Sequence, residues 1–118
     1  GRPERESGQK EIVESIQKYI NSHLGEAIMK EDIAGQIHLN SDYITRIFRK
    51  ETGMSIKSYI IQQKMLAARQ FLQTTDLPVS HIAVRLGYSN FSHFSSAYKK
   101  QFGMTPNEEK RMSSPGEI

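Results

Sequence analysis

The sequence predicts an all-α fold, and three observations carry the prediction. Apolar residues recur at spacings of three and four along most of the chain, as on helices that each bury one stripe. Nowhere do they alternate with polar residues in the two-residue rhythm of a strand. One stretch also occurs twice, roughly fifty residues apart, so whatever unit it builds is built twice.

The first helix is expected over residues 11–23, where Ile12, Val13, Ile16, Tyr19 and Ile20 share one stripe and Gly25 lies just past the last turn. The preceding GRPERESGQK is polar and charged, and it opens on Gly1 in place of methionine. Residues 1–9 are therefore expected to be a linker or a vector-derived remnant behind a missing N-terminal portion. A short second helix should span residues 29–38, with Met29 and Lys30 a poor cap. Asn40 and Ser41 cap a third over 42–51, with Gly53 after it. Ser55 caps the longest stretch, 56–73, which lacks Gly and Pro and is rich in good helix formers. The TTDLP segment breaks it, because Pro78 excludes helix at the residue before it and favours a new start. Two further helices follow over 79–86 and 90–101, closed by Gly103 and Pro106.

The repeat pairs IAGQIHLNSDYITRIFRKETGMS with IAVRLGYSNFSHFSSAYKKQFGMT, with one extra residue in the second turn. Ile33-Ala34 matches Ile82-Ala83 and Ile37 matches Leu86. Beyond the turn Ile44, Ile47 and Phe48 match Phe94, Ala97 and Tyr98, and Gly53-Met54-Ser55 match Gly103-Met104-Thr105. Each copy is a short helix, a tight turn and a longer helix with an apolar face, the shape of a helix-turn-helix. Ala34 and Ala83 are small where a large side chain would keep the second helix from crossing closely over the first. Such hairpins can serve only to pack a bundle. Two copies joined by one long helix, and sharing a basic region, favour a pair of DNA-reading helices instead.

That basic region emerges when the net charge of +3 is divided along the chain. Residues 1–40 carry five basic and seven acidic side chains, residues 41–107 nine and three, and the remainder two and three. The middle of the chain is thus a candidate phosphate-binding face, with a solvated surface as the plain alternative. The absence of cysteine excludes disulfides and zinc-thiolate sites and is consistent with the cytoplasm, the expected compartment. No apolar run approaches the roughly 18 residues of a membrane span. His23, His38, His81 and His93 are scattered, and neither a Gly-x-Ser-x-Gly elbow nor a glycine-rich phosphate cradle is present. No metal, cofactor or catalytic activity is expected.

Over about residues 10–108 the chain resembles the DNA-binding domain of AraC/XylS transcription regulators. The family's first unit looks like IA…L-S-x-x-Y-L-S-R-x-F-K-x-x-x-G, against IAGQIHLNSDYITRIFRKETG here. Its second is similar to IA…x-G-F-x-S-x-S-Y-F-S-R-x-F-K-K-x-F-G-x-S-P, against IAVRLGYSNFSHFSSAYKKQFGMTP. The linker helix carries Tyr59-Ile60, Ala68 and Phe71-Leu72 at comparable apolar positions. The resemblance implies seven helices whose two recognition helices enter successive major-groove segments, about one DNA turn or roughly 34 Å apart. It also implies the output half of a bacterial regulator, behind an N-terminal regulatory or dimerisation domain. Three departures stand out. Ser96 replaces a recognition-helix arginine and His93 a common tyrosine. The closing S-P-x-x-Y-R becomes Thr105-Pro106-Asn107-Glu108-Glu109-Lys110, which removes an aromatic anchor and predicts a frayed last turn. The expected organisation is a first helix-turn-helix subdomain over 10–54, a linker helix over 55–74, a second subdomain over 75–110 and a flexible tail over 111–118.

A recognition helix offers its N-terminal outward side chains to base edges. In the first unit these are Asp42, Thr45 and Arg46. Arg46 is the foremost candidate, because its fork can bond guanine O6 and N7 together; a phosphate clamp or an ion pair with Asp42 is the alternative. Asp42 can accept from cytosine N4 or orient Arg46, and Thr45 can meet a base or a thymine methyl. In the second unit Asn90, Ser92, Ser95 and Ser96 are the base-reading candidates. Phe91 either staples the helix entrance, the preferred reading, or lies against a thymine methyl. Arg49, Lys50, Lys57, His93, Lys99 and Lys100 are placed behind them for phosphates. The expected partner is double-stranded DNA, with RNA polymerase a further candidate. The competing class is a protein-interaction module whose basic face binds an acidic partner or the polymerase without reading sequence.

Overall fold

The computed structural model describes residues 3–113, with side chains from Gly8 onward. Seven helices follow one another: α1 (Pro3–Ser22), α2 (Lys30–Ile37), α3 (Ser41–Thr52), α4 (Ile56–Thr74), α5 (Val79–Arg85), α6 (Phe91–Phe102) and α7 (Pro106–Ser113). No strand occurs among the described residues. Among them, too, no helix is long and apolar enough to cross a membrane.

The described chain divides into two compact units. The first comprises the chain up to Leu24 and Ile28–Ile60. Its core gathers Val13, Ile16 and Ile20 of α1, Ile33 and Ala34 of α2, Ile44, Ile47 and Phe48 of α3, and Ile56 and Ile60 from the start of α4. The second comprises Gly25–Ala27 and the chain from Ile61 onward. It buries Met65, Ala68 and Leu72 of α4, Ile82 and Ala83 of α5, Phe94 and Tyr98 of α6, and Pro106 and Glu109 of α7.

The internal repeat reappears in the turn, capping and closing bonds of the two units. Leu39 N–H donates to the Ala34 carbonyl at 3.0 Å, and Tyr88 N–H to the Ala83 carbonyl at 3.0 Å. Asn40 caps α3 through Oδ1, which accepts from the amides of Asp42 (2.8 Å) and Tyr43 (3.1 Å). Asn90 caps α6 by accepting from His93 N–H at 3.0 Å. Gly53 and Gly103 close the two helices with φ of 77° and 80°. Ser55 Oγ then accepts from Ser58 N–H at 3.0 Å to start α4, as Thr105 Oγ1 accepts from Glu108 N–H at 3.2 Å to start α7. Ala34 and Ala83 are both buried, in keeping with the close crossing their size allows.

Several expectations are corrected. The first helix starts at Pro3, eight residues before the expected start at residue 11. Proline suits a first helical position, where its missing N–H is not needed. Gly25–Ala27, expected within the first subdomain, clusters with the second. The reason is local: Lys64 Nζ donates to the Glu26 carbonyl at 2.8 Å, and a Cβ on Gly25 would lie 2.9 Å from the Arg85 carbonyl oxygen. The linker helix of residues 55–74 is shared, its first turn in the core of the first unit. Finally, α7 runs through Ser113, three residues into the stretch expected as a tail, and residues 114–118 of that stretch lie outside the described residues.

The anchor of α7 is polar. Glu109 stands where the resemblance places tyrosine, and it is 5% exposed. Its Oε1 accepts from the Tyr98 hydroxyl at 2.9 Å and lies 3.1 Å from Arg69 Nε. The Arg69 contact does not meet hydrogen-bond geometry, so its attraction is Coulombic. Burial, followed by the bond to Glu109, raises the Tyr98 hydroxyl well above the ordinary tyrosine range.

Besides their length, the two turns differ in the residue that holds their shared left-handed position. His38 ends α2 with φ 59°, a left-handed conformation unfavourable to a side chain with a Cβ, and Gly87 holds the matching place with φ 80°. His38 is exposed, so nothing packed is lost by shortening it. His38→Gly is expected to raise stability by about 0.5–1 kcal/mol, read as a higher urea midpoint at unchanged slope.

Candidate nucleic-acid interface

The apolar faces of α3 and α6 are consumed by the cores, which leaves one outward strip on each. On α3, Asp42, Arg46 and Arg49 are exposed and Thr45 is half-buried; their i, i+3, i+4, i+7 spacing puts them on one face. On α6 the same register holds Ser92, Ser95, Ser96 and Lys99, with Ser95 half-buried and the others exposed. Lys50 and Lys100 are exposed beside the strips, His93 is exposed in the first turn of α6, and Lys57 is exposed in the first turn of α4. Arg49, Lys50, Lys99 and Lys100 occupy the last turns of their helices, where the helix dipole favours cations.

The structure revises some local partnerships. Asp42 lies with its carboxylate 3.6 Å from Lys30 Nζ, on α2, rather than serving Arg46. Both side chains are open to solvent, so the pair is weak. The Arg46 guanidinium lies 5.8 Å from the centroid of the Tyr43 ring. The cation thus lies within cation–π range of the Tyr43 ring, its i−3 neighbour on α3. The Thr45 hydroxyl donates to the Ser41 carbonyl at 2.8 Å, which turns its donor inward along its own helix. Asn90 is held in its capping bond, so its side-chain carbonyl is already engaged and only the amide group remains to offer.

The turn before α6 is held from beneath. Lys64 is buried and donates to the Leu86 carbonyl at 2.6 Å as well as to Glu26. Its ammonium also lies 5.9 Å from the Tyr88 ring centroid. Burial lowers the Lys64 pKa from the usual lysine range, with the Glu26 charge opposing. Tyr88 is raised by burial.

The sequence profile described as a helix-turn-helix domain matches residues 33–112, most of the chain and both repeats. The chain belongs to the AraC-type helix-turn-helix family. This AraC-type chain is 34% identical over 108 residues to the Msm operon regulatory protein of Streptococcus mutans, covering 92% of this sequence and 39% of that protein. It spans well under half of that relative's length. Among solved structures it is similar to the C-terminal domain of AraT, a response regulator from Geobacillus stearothermophilus, with a TM-score of 0.84, 30% identity, and 91% and 89% of the two chains covered. It is also similar to a Chromobacterium violaceum transcriptional regulator described as containing an AraC-type DNA-binding domain, with a TM-score of 0.84, 25% identity, and 93% and 98% covered. Two matched outward strips on an AraC-type scaffold are thus the feature to interpret.

Proposed function

We propose that this chain binds double-stranded DNA sequence-specifically, as the output domain of a bacterial transcription regulator acting in the cytoplasm. The observation that carries the reading is the duplicated helix with an exposed polar strip at its N-terminal half and a pair of cations in its last turn. Asp42, Thr45 and Arg46 of α3, and Ser92, Ser95 and Ser96 of α6, serve as base-facing groups, with the Asn90 amide beside them. Arg49, Lys50, Lys57, His93, Lys99 and Lys100 serve the phosphates. A regulatory or dimerisation region outside this chain, and RNA polymerase, are the further partners proposed.

Selection of bound duplexes from a random pool tests the reading: enrichment of a defined site supports it, and equal retention of all duplexes overturns it. On an enriched site Arg46→Ala is expected to cost about 1–3 kcal/mol and to relax preference at one base pair, because the bidentate bond to guanine is removed. Binding isotherms on the site and its single-base variants measure both effects. Lys99→Gln and Lys100→Gln are expected to weaken enriched and random duplexes alike. Each should lower the slope of log affinity against log salt by about one unit for every phosphate no longer neutralised, as titration from low to high salt would read.

A further inference from the structure

Phe91 is the anomaly of α6. All five Phe and five Tyr of the chain lie among the described residues, and it alone among them is exposed. It opens α6 directly after the Asn90 cap, with 41% of its surface open. Its ring centroid lies 6.1 Å from that of Phe94, at a tilt of 49°. It therefore leans on the core without entering it, which is only part of what a stapling role requires. Ser95, one turn further on, is its neighbour on the helix surface and too short to cover it.

Comparison with the first unit shows an exchange of reach. Counting from the two asparagine caps, α3 presents Ser41, Asp42, Thr45 and Arg46, and α6 presents Phe91, Ser92, Ser95 and Ser96. On α3 the first position is small and the sixth carries the long polar fork. On α6 the sixth is a serine and the first carries the large apolar ring. The long group has moved to the helix's leading edge and lost its hydrogen-bonding capacity. At these four positions each helix carries one long side chain, and on α6 it is Phe91, whose ring can meet only an apolar target.

The major groove offers one such target on its base edges, the C5 methyl of thymine. We infer that Phe91 is a specificity-determining residue that packs against a thymine methyl, so that the second helix selects a T·A pair by apolar contact as the first selects guanine by Arg46. This rests on the DNA-binding reading above and names what the second strip recognises. The serines beside Phe91 allow close approach, and the open part of its ring is the area that contact would cover.

The test replaces each thymine of an enriched duplex in turn by deoxyuridine, which deletes the methyl and leaves the hydrogen-bonding edge intact. The expected result is one position at which the change weakens binding of the unaltered protein about three- to fivefold, and has no effect on Phe91→Ala. Phe91→Leu, which retains an apolar side chain at the helix entrance, should keep part of the methyl dependence, and it serves for the cycle if the alanine variant melts early. Equal sensitivity in the unaltered protein and the variants, or no methyl-sensitive position, overturns the inference. An enriched site that responds to Arg46→Ala but not to methyl deletion would sink this assignment and leave the DNA-binding reading standing. No enriched site at all would remove both.

Discussion

Replacing Glu109 with alanine is expected to destabilise the second unit by about 3 kcal/mol, read as a fall in the urea midpoint. The substitution leaves the fully buried Tyr98 hydroxyl without an acceptor and removes the counter-charge 3.1 Å from Arg69. The Arg69 side chain is 42% exposed and can take up water, which keeps the loss toward the lower end for a broken buried pair. Counting four residues on from Ser55 and Thr105 makes Glu109 the counterpart of Tyr59, and Tyr98 is already the counterpart of Phe48. In the first unit that pair is an aromatic edge contact, with ring centroids 5.3 Å apart at 67°. In the second it is a hydroxyl donating to a carboxylate. The double change Tyr98→Phe with Glu109→Tyr should therefore be less damaging than the sum of the single changes, by about 1 kcal/mol.

The same pair sets an alkaline limit. The folded pKa of Tyr98 is raised above its unfolded value, so its contribution is complete below about pH 10 and declines as the pH climbs further toward the folded value. Lys64 acts in the opposite sense, since its lowered folded pKa makes its own term grow more favourable as the ammonium deprotonates. Comparing the unaltered chain with Tyr98→Phe isolates the first effect: the variant should lose less stability between neutral pH and about pH 11.

Gly87→Ala should be comparably severe, at about 2–4 kcal/mol, and opposite in sign to His38→Gly. Both residues are left-handed, but a Cβ on Gly87 would stand 3.1 Å from the Glu26 carbonyl oxygen and 3.1 Å from Lys64 Nζ. It would thus push on the ammonium that holds the Leu86 and Glu26 carbonyls. Chemical unfolding measures the loss. A Gly87→Ala protein as stable as the unaltered chain would show that the lysine can move aside without cost.

The legible parts of this chain are those written locally. Ile44, Ile47 and Phe48 announce their buried face by spacing, and Asn40, Ser55 and the glycines announce helix ends by residue type. Distance along the chain hides the rest. Glu109 reads as a missing anchor because its partners are Tyr98, on the preceding helix, and Arg69, on α4; no spacing rule joins three residues so placed. Asp42 and Arg46 have ideal spacing for an ion pair, yet Asp42 finds Lys30 on another helix. Asn90 fits a cap or a base reader equally well until the extra turn residue is assigned, and the structure gives it to Tyr88-Ser89 in place of Leu39, leaving Asn90 at the helix start.

The shared helix α4 has a consequence for how the chain orders itself. Its first turn closes the first unit as α7 closes the second, while its later turns open the second unit as α1 opens the first. Starting a helix is the unfavourable step, and extending one is easy. Once the first unit has drawn Ile56 and Ile60 into its core, α4 needs only to elongate for the second unit to gain its opening helix. The two halves can therefore ripen in sequence, each new one started from a turn already wound.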